Sequence, residues 1–300
     1  MTDPHLTPDR RELTGCSHAP AHAGVTAVPS SSDTVIAWCA WITSSMSGGS
    51  RRGSSPPCLR SRRRRRYRAA LTGLSKTCCG IWVKCSGSGA RSSAALDPEP
   101  VQPAKPPRPE GREALGDFFK AASSALLAAL ASADPDDAVW TWSEQHTVAF
   151  VRRRQAHEAL VHRIDAELTA GQRTGMDRLL SADGVDEALR VMYGDLPNWG
   201  EFTEHSDRPL SVATTDTGHS WLVTPGRFVG TEPGSGRVWD TLALRTAPAG
   251  YTGPPAATVS GAAADLDCLV WNRPPLGPIQ RTGEPTIVAA FDAVLAGGIK

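Results

Sequence analysis

The stretch Thr147–Gly171, TVAFVRRRQAHEALVHRIDAELTAG, contains no Pro and no internal Gly. Thr147 is a residue type that caps helix starts and Gly171 one that caps helix ends, so the stretch reads as a single helix of about six turns. A rod roughly 35 Å long has to lie along other elements for most of its length, which limits the folds open to this chain. Within it Glu158, His162 and Asp165 recur at i, i+4 and i+7. At about 100° per residue these three side chains share a stripe roughly 60° wide. Phe150, Leu160, Val161, Ile164 and Leu168 fall on the adjoining arc, with Arg163 and Glu167 opposite. The acid/imidazole stripe therefore borders an apolar seam.

A Glu and a His one helical turn apart can bind one metal ion together, because zinc accepts both carboxylate oxygen and imidazole nitrogen. Two ligands from one helix are not enough, and a third must come from elsewhere. Asp165 could orient the His162 imidazole or act as an acid/base on a bound substrate. The plainer alternative is an ordinary Glu–His pair on a solvated helix face, worth about 0.2–0.5 kcal/mol. His157 and His162 lie five residues apart, roughly 140° around the helix, so HEALVH is not a zinc-binding HExxH string. His157 falls in the apolar arc and reads as a packed core histidine. Arg152–Arg154 reads as a solvated face with one member pairing an acid. His205 and His219 read as surface residues, and Cys268 as a small core residue. The sequence contains no Gly-rich phosphate loop, nucleophile elbow or paired catalytic carboxylates.

The formal net charge of +1 conceals two unlike regions. Residues 1–96 carry a net +10 and residues 97–300 a net −9. No acidic residue occurs from Thr34 to Leu96, and six of the seven cysteines precede Asp97. Those cysteines lack paired CxxC spacing, so neither a zinc knuckle nor a disulfide framework is indicated. The segment SGGSRRGSSPPCLRSRRRRRYR would repel itself and stay solvated as a disordered extension. Its other readings are a phosphate-binding patch on Arg62–Arg66, disfavoured for want of aromatic interleaving, and a GC-rich coding stretch translated out of frame. Residues 1–97 are thus set apart as a basic low-complexity region, largely irregular or disordered. The apolar content and the absence of a long unbroken apolar run or signal-peptide pattern point to a cytoplasmic protein without a membrane partner.

After a Pro-rich linker from residue 98, Arg112–Ala131 reads as a helix with apolar residues three to four apart. A turn at 133–138 leads to Trp140 and Trp142, read as partly buried anchors, and then to the long helix. A shorter helix, Val185–Tyr193, is expected to be N-capped by Asp183 and stopped by Gly194. From Leu210 the period changes: SWLVTPGRFVG, RVWDTLALRTA and ATVSG read as strands, AADLDCLVWN as a helix, and PTIVAAFDAVLAG as strand to helix. This gives an α+β fold of two domains, a helical metal-binding part over 98–197 and a mixed α+β part over 198–300.

FVRRRQAHEALVHRIDAELTAG, preceded by DDAVWTW, resembles the metal-binding helix of the mycothiol-dependent maleylpyruvate isomerase family, within the DinB-like four-helix-bundle superfamily. GRFVGTEPGSGRVWD and VSGAAADLDCLVWNRPPLGPIQRTGEPTIVAAFDAVL resemble that family's sterol-carrier-like C-terminal domain. The resemblance runs from about Arg112 to the end. It implies a partial four-helix bundle followed by a small α+β domain. It also implies a divalent metal, usually zinc, on Glu158 and His162, and mycothiol as the low-molecular-weight thiol. Asp165 and Arg273 are implied as catalytic residues, Arg281 being the less favoured arginine. The implied chemistry is thiolate addition to a conjugated double bond, rotation and elimination, giving cis–trans isomerisation, or another thiol transfer to a small-molecule substrate. The family's first metal-ligand His, about ninety residues before the Glu, has no counterpart, since no His occurs between His22 and His146. That absence leaves two expectations, an isomerase-like enzyme with a weakened or inactive metal site and a non-enzymatic small-ligand-binding or regulatory protein.

Overall fold

A computed structural model describes residues 109–299. The basic segment, its arginine run and its cysteines lie outside the described residues, as do His5, His18 and His22.

Helix α1 (Arg112–Ser132) buries Phe119, Ser123 and Leu126, which are spaced as one helical stripe. By length and composition α1 is apolar enough to cross a membrane, contrary to the reading that no run approaches that length, but it carries a buried stripe and exposed Lys120 and Asp117. Helix α2 (Val148–Ala170) begins and ends where its capping residues place it. The Phe150 N–H donates to Thr147 Oγ1 at 3.2 Å, and Gly171 adopts φ 72°, a left-handed value that Gly takes without a Cβ penalty. Arg152 donates to the carbonyls of Leu130 and Ala133, supplying partners for the free C-terminal carbonyls of α1.

Helix α3 spans Arg178–Glu187 and continues into a π-helical turn over Ala188–Met192. It starts earlier than the sequence suggests. Asp177, rather than Asp183, is the cap, accepting from the Leu179 and Leu180 N–H groups at 2.9 Å. Gly184 sits inside the helix. A Cβ there would lie 2.5 Å from Asp267 Oδ1, so the missing side chain is what lets α3 lie against the next helix.

The remainder is a six-stranded sheet of β1 (Gly200–Glu204), β2 (Leu210–Thr214), β3 (Ser220–Thr231), β4 (Val238–Thr246), β5 (Ala257–Gly261) and β6 (Gln280–Gly283). Its order is β1-β3-β2-β5-β6, with β4 on the other side of β3. Every pairing is antiparallel except β2 with β5. The short strands β1, β2 and β6 are not among the strands read from the sequence, β6 being exposed at all four positions. PTIVAAFDAVLAG is helical throughout: Pro285 opens α5 (Pro285–Gly297), where its missing N–H costs nothing.

Helix α4 (Ala263–Val270) follows β5 directly, and with α3 and α5 it covers the sheet. One core joins Val161 of α2, Val185 and Leu189 of α3 and its π turn, Val212 and Val259 of the sheet, Leu266 of α4 and Phe291 of α5. At about 1.5–3 kcal/mol for each fully buried large apolar side chain, this shared core holds α2 and α3 firmly against the C-terminal part. The α+β organisation agrees with the sequence reading.

Candidate active site on helix α2

The stripe of α2 is assembled as the spacing requires. His162 Nε2 lies 3.0 Å from Glu158 Oε2, and His162 Nδ1 lies 3.4 Å from Asp165 Oδ2. Arg273, on the turn that follows α4, closes the row by donating from Nε and Nη2 to the two oxygens of Asp165, at 3.1 and 2.7 Å. Such a two-pronged bond fixes orientation as well as distance. Arg281 is elsewhere, paired with Asp292 of α5.

The row extends further than the three residues first singled out. Arg154, one turn before Glu158, lies with Nη2 2.9 Å from Glu158 Oε1. Its Nη1 donates to Glu187 of α3, and its guanidinium lies 5.0 Å from the Trp271 ring centroid. Glu187, Arg154, Glu158, His162, Asp165 and Arg273 thus alternate in sign from one end to the other. Arg154 and Glu187 escaped the sequence reading, although Arg154 continues the same i, i+4 spacing backwards. Arg152–Arg154 is not a solvated face. Arg154 is buried, Arg152 caps α1, and Arg153 donates to Asp183 and Asp186. Glu167, expected on the face away from the core, is fully buried and accepts from the Thr174 N–H and hydroxyl, holding the loop after α2.

The charges respond to this arrangement. Burial by itself would push Glu158 up, but the His162 hydrogen bond and the Arg154 charge outweigh it and hold the carboxyl near 2. Burial would lower His162, yet the Asp165 and Glu158 carboxylates raise it to about 9. Asp165 is lowered, its burial outweighed by His162 and Arg273. Deeper in, burial raises Glu187, and it raises Asp267 of α4 well above the usual carboxylate range. Both Asp267 oxygens are buried without a hydrogen-bond partner among the described residues, a costly arrangement for the ionised form.

The other histidines and Cys268 fall where expected, and Trp142 does not. His157 is in the core with Nε2 2.7 Å from Asp183 Oδ2, and Cys268 is buried with its thiol pushed up to about 11. His205 and His219 are exposed. Trp140 is half-buried, but Trp142 is 55% exposed, with its ring edge-on to Phe150. A shallow, partly open pocket with room for about one water, about 10 Å3, adjoins the row, lined by Leu160, Val161, Ile164, Met176, Asp267, Cys268, Trp271 and Arg273.

A metal ion is implied by the resemblance, and the donors do not fit one as they stand. Among the described residues no group of three or more His, Cys, Asp or Glu side chains is placed to hold a metal. Glu158 and His162 are two donors from one helix. Each is turned towards the other, and Arg154 sets a fixed cation against the carboxylate.

The profile of the mycothiol maleylpyruvate isomerase N-terminal domain matches residues 86–167. That of the C-terminal domain of the same family matches residues 180–290, beginning inside α3 and ending inside α5. No curated protein matches the chain. Among solved structures, a mycothiol-dependent maleylpyruvate isomerase and a single-residue mutant of it align over 86% of this chain and 95% of theirs, at 11% and 12% identity and a TM-score of 0.47. Likenesses this distant add no weight, and the assignment rests on the two domain matches, which meet the chain in order and cover more than half of it. The chain belongs to the mycothiol-dependent maleylpyruvate isomerase family.

Proposed function

We propose that the protein is a cytoplasmic, thiol-dependent isomerase or thiol transferase whose chemistry is centred on Asp165 and Arg273, with mycothiol as the thiol. The observation that carries this reading is the bidentate Asp165–Arg273 bond, which joins the α2 stripe to the C-terminal part at the position the family resemblance marks. Maleylpyruvate, which the family's name specifies, is an acid bearing a conjugated double bond. Arg273, partly exposed at the pocket, is the cation that would receive its carboxylate. Asp165, freed from part of that pairing, would then take or return a proton beside the reacting double bond. The thiolate adds to one carbon, the resulting single bond rotates, and loss of the thiolate restores the double bond in the other geometry. A protonated His162 in the same row would stabilise the negative charge of the approaching thiolate.

In this reading Glu158 and His162 are the remaining half of the family's zinc site, and no step is assigned to a metal. The decisive experiment is a maleylpyruvate isomerisation assay with and without mycothiol, run on the full chain and on Glu158→Gln and His162→Gln. Turnover that requires the thiol and falls in both variants supports the enzyme reading.

A second reading is a non-enzymatic binder of a small ligand. It draws support from a row whose charged members already pair with one another, Arg154 with Glu158, Glu158 with His162 and Asp165 with Arg273. Binding of maleylpyruvate without turnover, unchanged in Glu158→Gln and His162→Gln, favours this reading over the first.

A further inference from the structure

Trp271, Asn272 and Arg273 form the turn that ends α4, and the two outer side chains reach opposite ends of the α2 row. Trp271 lies under Arg154, the cation that engages Glu158, while Arg273 engages Asp165. Between them Asn272 has φ 58°, the one positive φ at a non-Gly position among the described residues. Its side chain is exposed and makes no hydrogen bond to a described residue, so what the position demands is the backbone conformation. Asn tolerates the left-handed region better than most residues, and branched side chains tolerate it worst. The turn is held from several directions. The Asn272 N–H donates to Leu269 O at 2.9 Å and the Arg273 N–H to Cys268 O at 2.7 Å. Arg273 Nη1 donates back to Trp271 O at 2.5 Å, and Arg173 donates to Pro274 O at 2.9 Å.

We propose that Asn272 is a positioning residue: its left-handed backbone divides Trp271 from Arg273, so that one turn clamps both the Glu158 end and the Asp165 end of the site. An ordinary helix C-cap would show the same φ, but it would not carry two side chains onto a single row of another helix. The role of Asn272 in turnover rests on the function proposed above, whereas the clamp itself does not.

The test compares Asn272→Gly, Asn272→Ala and Asn272→Val in the full chain, with Asp165→Asn as the reference for a released Arg273. The first readout is the Arg273 Nε–H resonance, which hydrogen bonding to Asp165 shifts and protects from exchange. It should persist in Asn272→Gly and collapse towards the Asp165→Asn position in Asn272→Val, with Asn272→Ala between them. Should the Val variant fail to fold, Ala against Gly gives the same comparison. The second readout is thiol-dependent turnover, where kcat should fall about tenfold to hundredfold in the Val variant at little-changed KM and be restored by Gly. A wild-type Nε–H signal in the Ala variant and in a folded Val variant overturns the proposal. Loss of the signal in a chain whose wild type shows no thiol-dependent turnover upholds the clamp and overturns the proposed function instead.

Discussion

Asp165 and Arg273, 108 residues apart in the chain, share two hydrogen bonds that join helix α2 to the turn after α4. The pair is partly buried, with Asp165 the more enclosed partner. Either group left alone would keep a charge in a poorly solvated place. Asp165→Asn and Arg273→Met should each cost about 1–3 kcal/mol in urea unfolding, and the double variant less than the sum of the two. Strict additivity would show that the two groups do not interact in solution.

Asp183 supports the same region from α3. Burial pushes its carboxyl up, but hydrogen bonds and charges from His157 and Arg153 bring it down to about 2 from an ordinary 3.8. A depressed carboxyl contributes its stability above the unfolded value and loses it as pH falls through the folded one. Asp183→Asn should therefore be less stable than wild type by on the order of 2 kcal/mol at pH 6, with the gap closing between about pH 4 and 2. A gap that is constant with pH would contradict this.

Asp267 behaves in the opposite sense. Its folded pKa lies well above 3.8 through burial, with Glu187 and Asp183 adding to the rise, so folding takes up a proton and the cost grows as pH rises above that value. Asp267→Asn, which has nothing to ionise, should be more stable than wild type at neutral pH by about 1–3 kcal/mol and no better below about pH 4. Equal stabilities at neutral pH would mean that Asp267 finds a partner in solution.

Gly184 lies where α3 meets α4, with Asp267 Oδ1 2.5 Å from the place a Cβ would occupy. Gly184→Ala should destabilise the chain by about 1–3 kcal/mol despite the better helix propensity of Ala. Thermal unfolding of Gly184→Ala in the Asp267→Gly background should recover most of that loss.

Metal analysis of the dialysed full chain should find zinc well below one equivalent, because the described donors stop at Glu158 and His162. Stoichiometric zinc that Glu158→Gln removes would place a third ligand in residues 1–108.

The sequence made α2 legible to the residue because its signals are local: a Thr cap, a Gly stop and an unbroken period between them. The stripe of Glu158, His162 and Asp165 followed from the same geometry. Helix α3 starts earlier than the sequence suggests because two aspartates could cap it: Asp177 does so, while Asp183 is taken up by Arg153 and His157 of α2. Strands β1 and β6 are short and largely exposed, so no buried alternation marks them. The burial of Arg154 against Glu187, and of Glu167 against Thr174, depends on what packs over α2, and no periodicity within the helix reveals it. Arg273 came into view through family resemblance; its bond to Asp165 is a property of the fold.

The proposed chemistry needs Asp165 and Arg273 to act together on an acidic, unsaturated substrate with a thiol. The most direct measurement is mycothiol-dependent maleylpyruvate isomerisation by wild type, Asp165→Asn and Arg273→Met side by side. Wild-type turnover should need the thiol and should fall about a hundredfold or more in each variant. Wild-type rates in both variants, or isomerisation indifferent to the thiol, would contradict it.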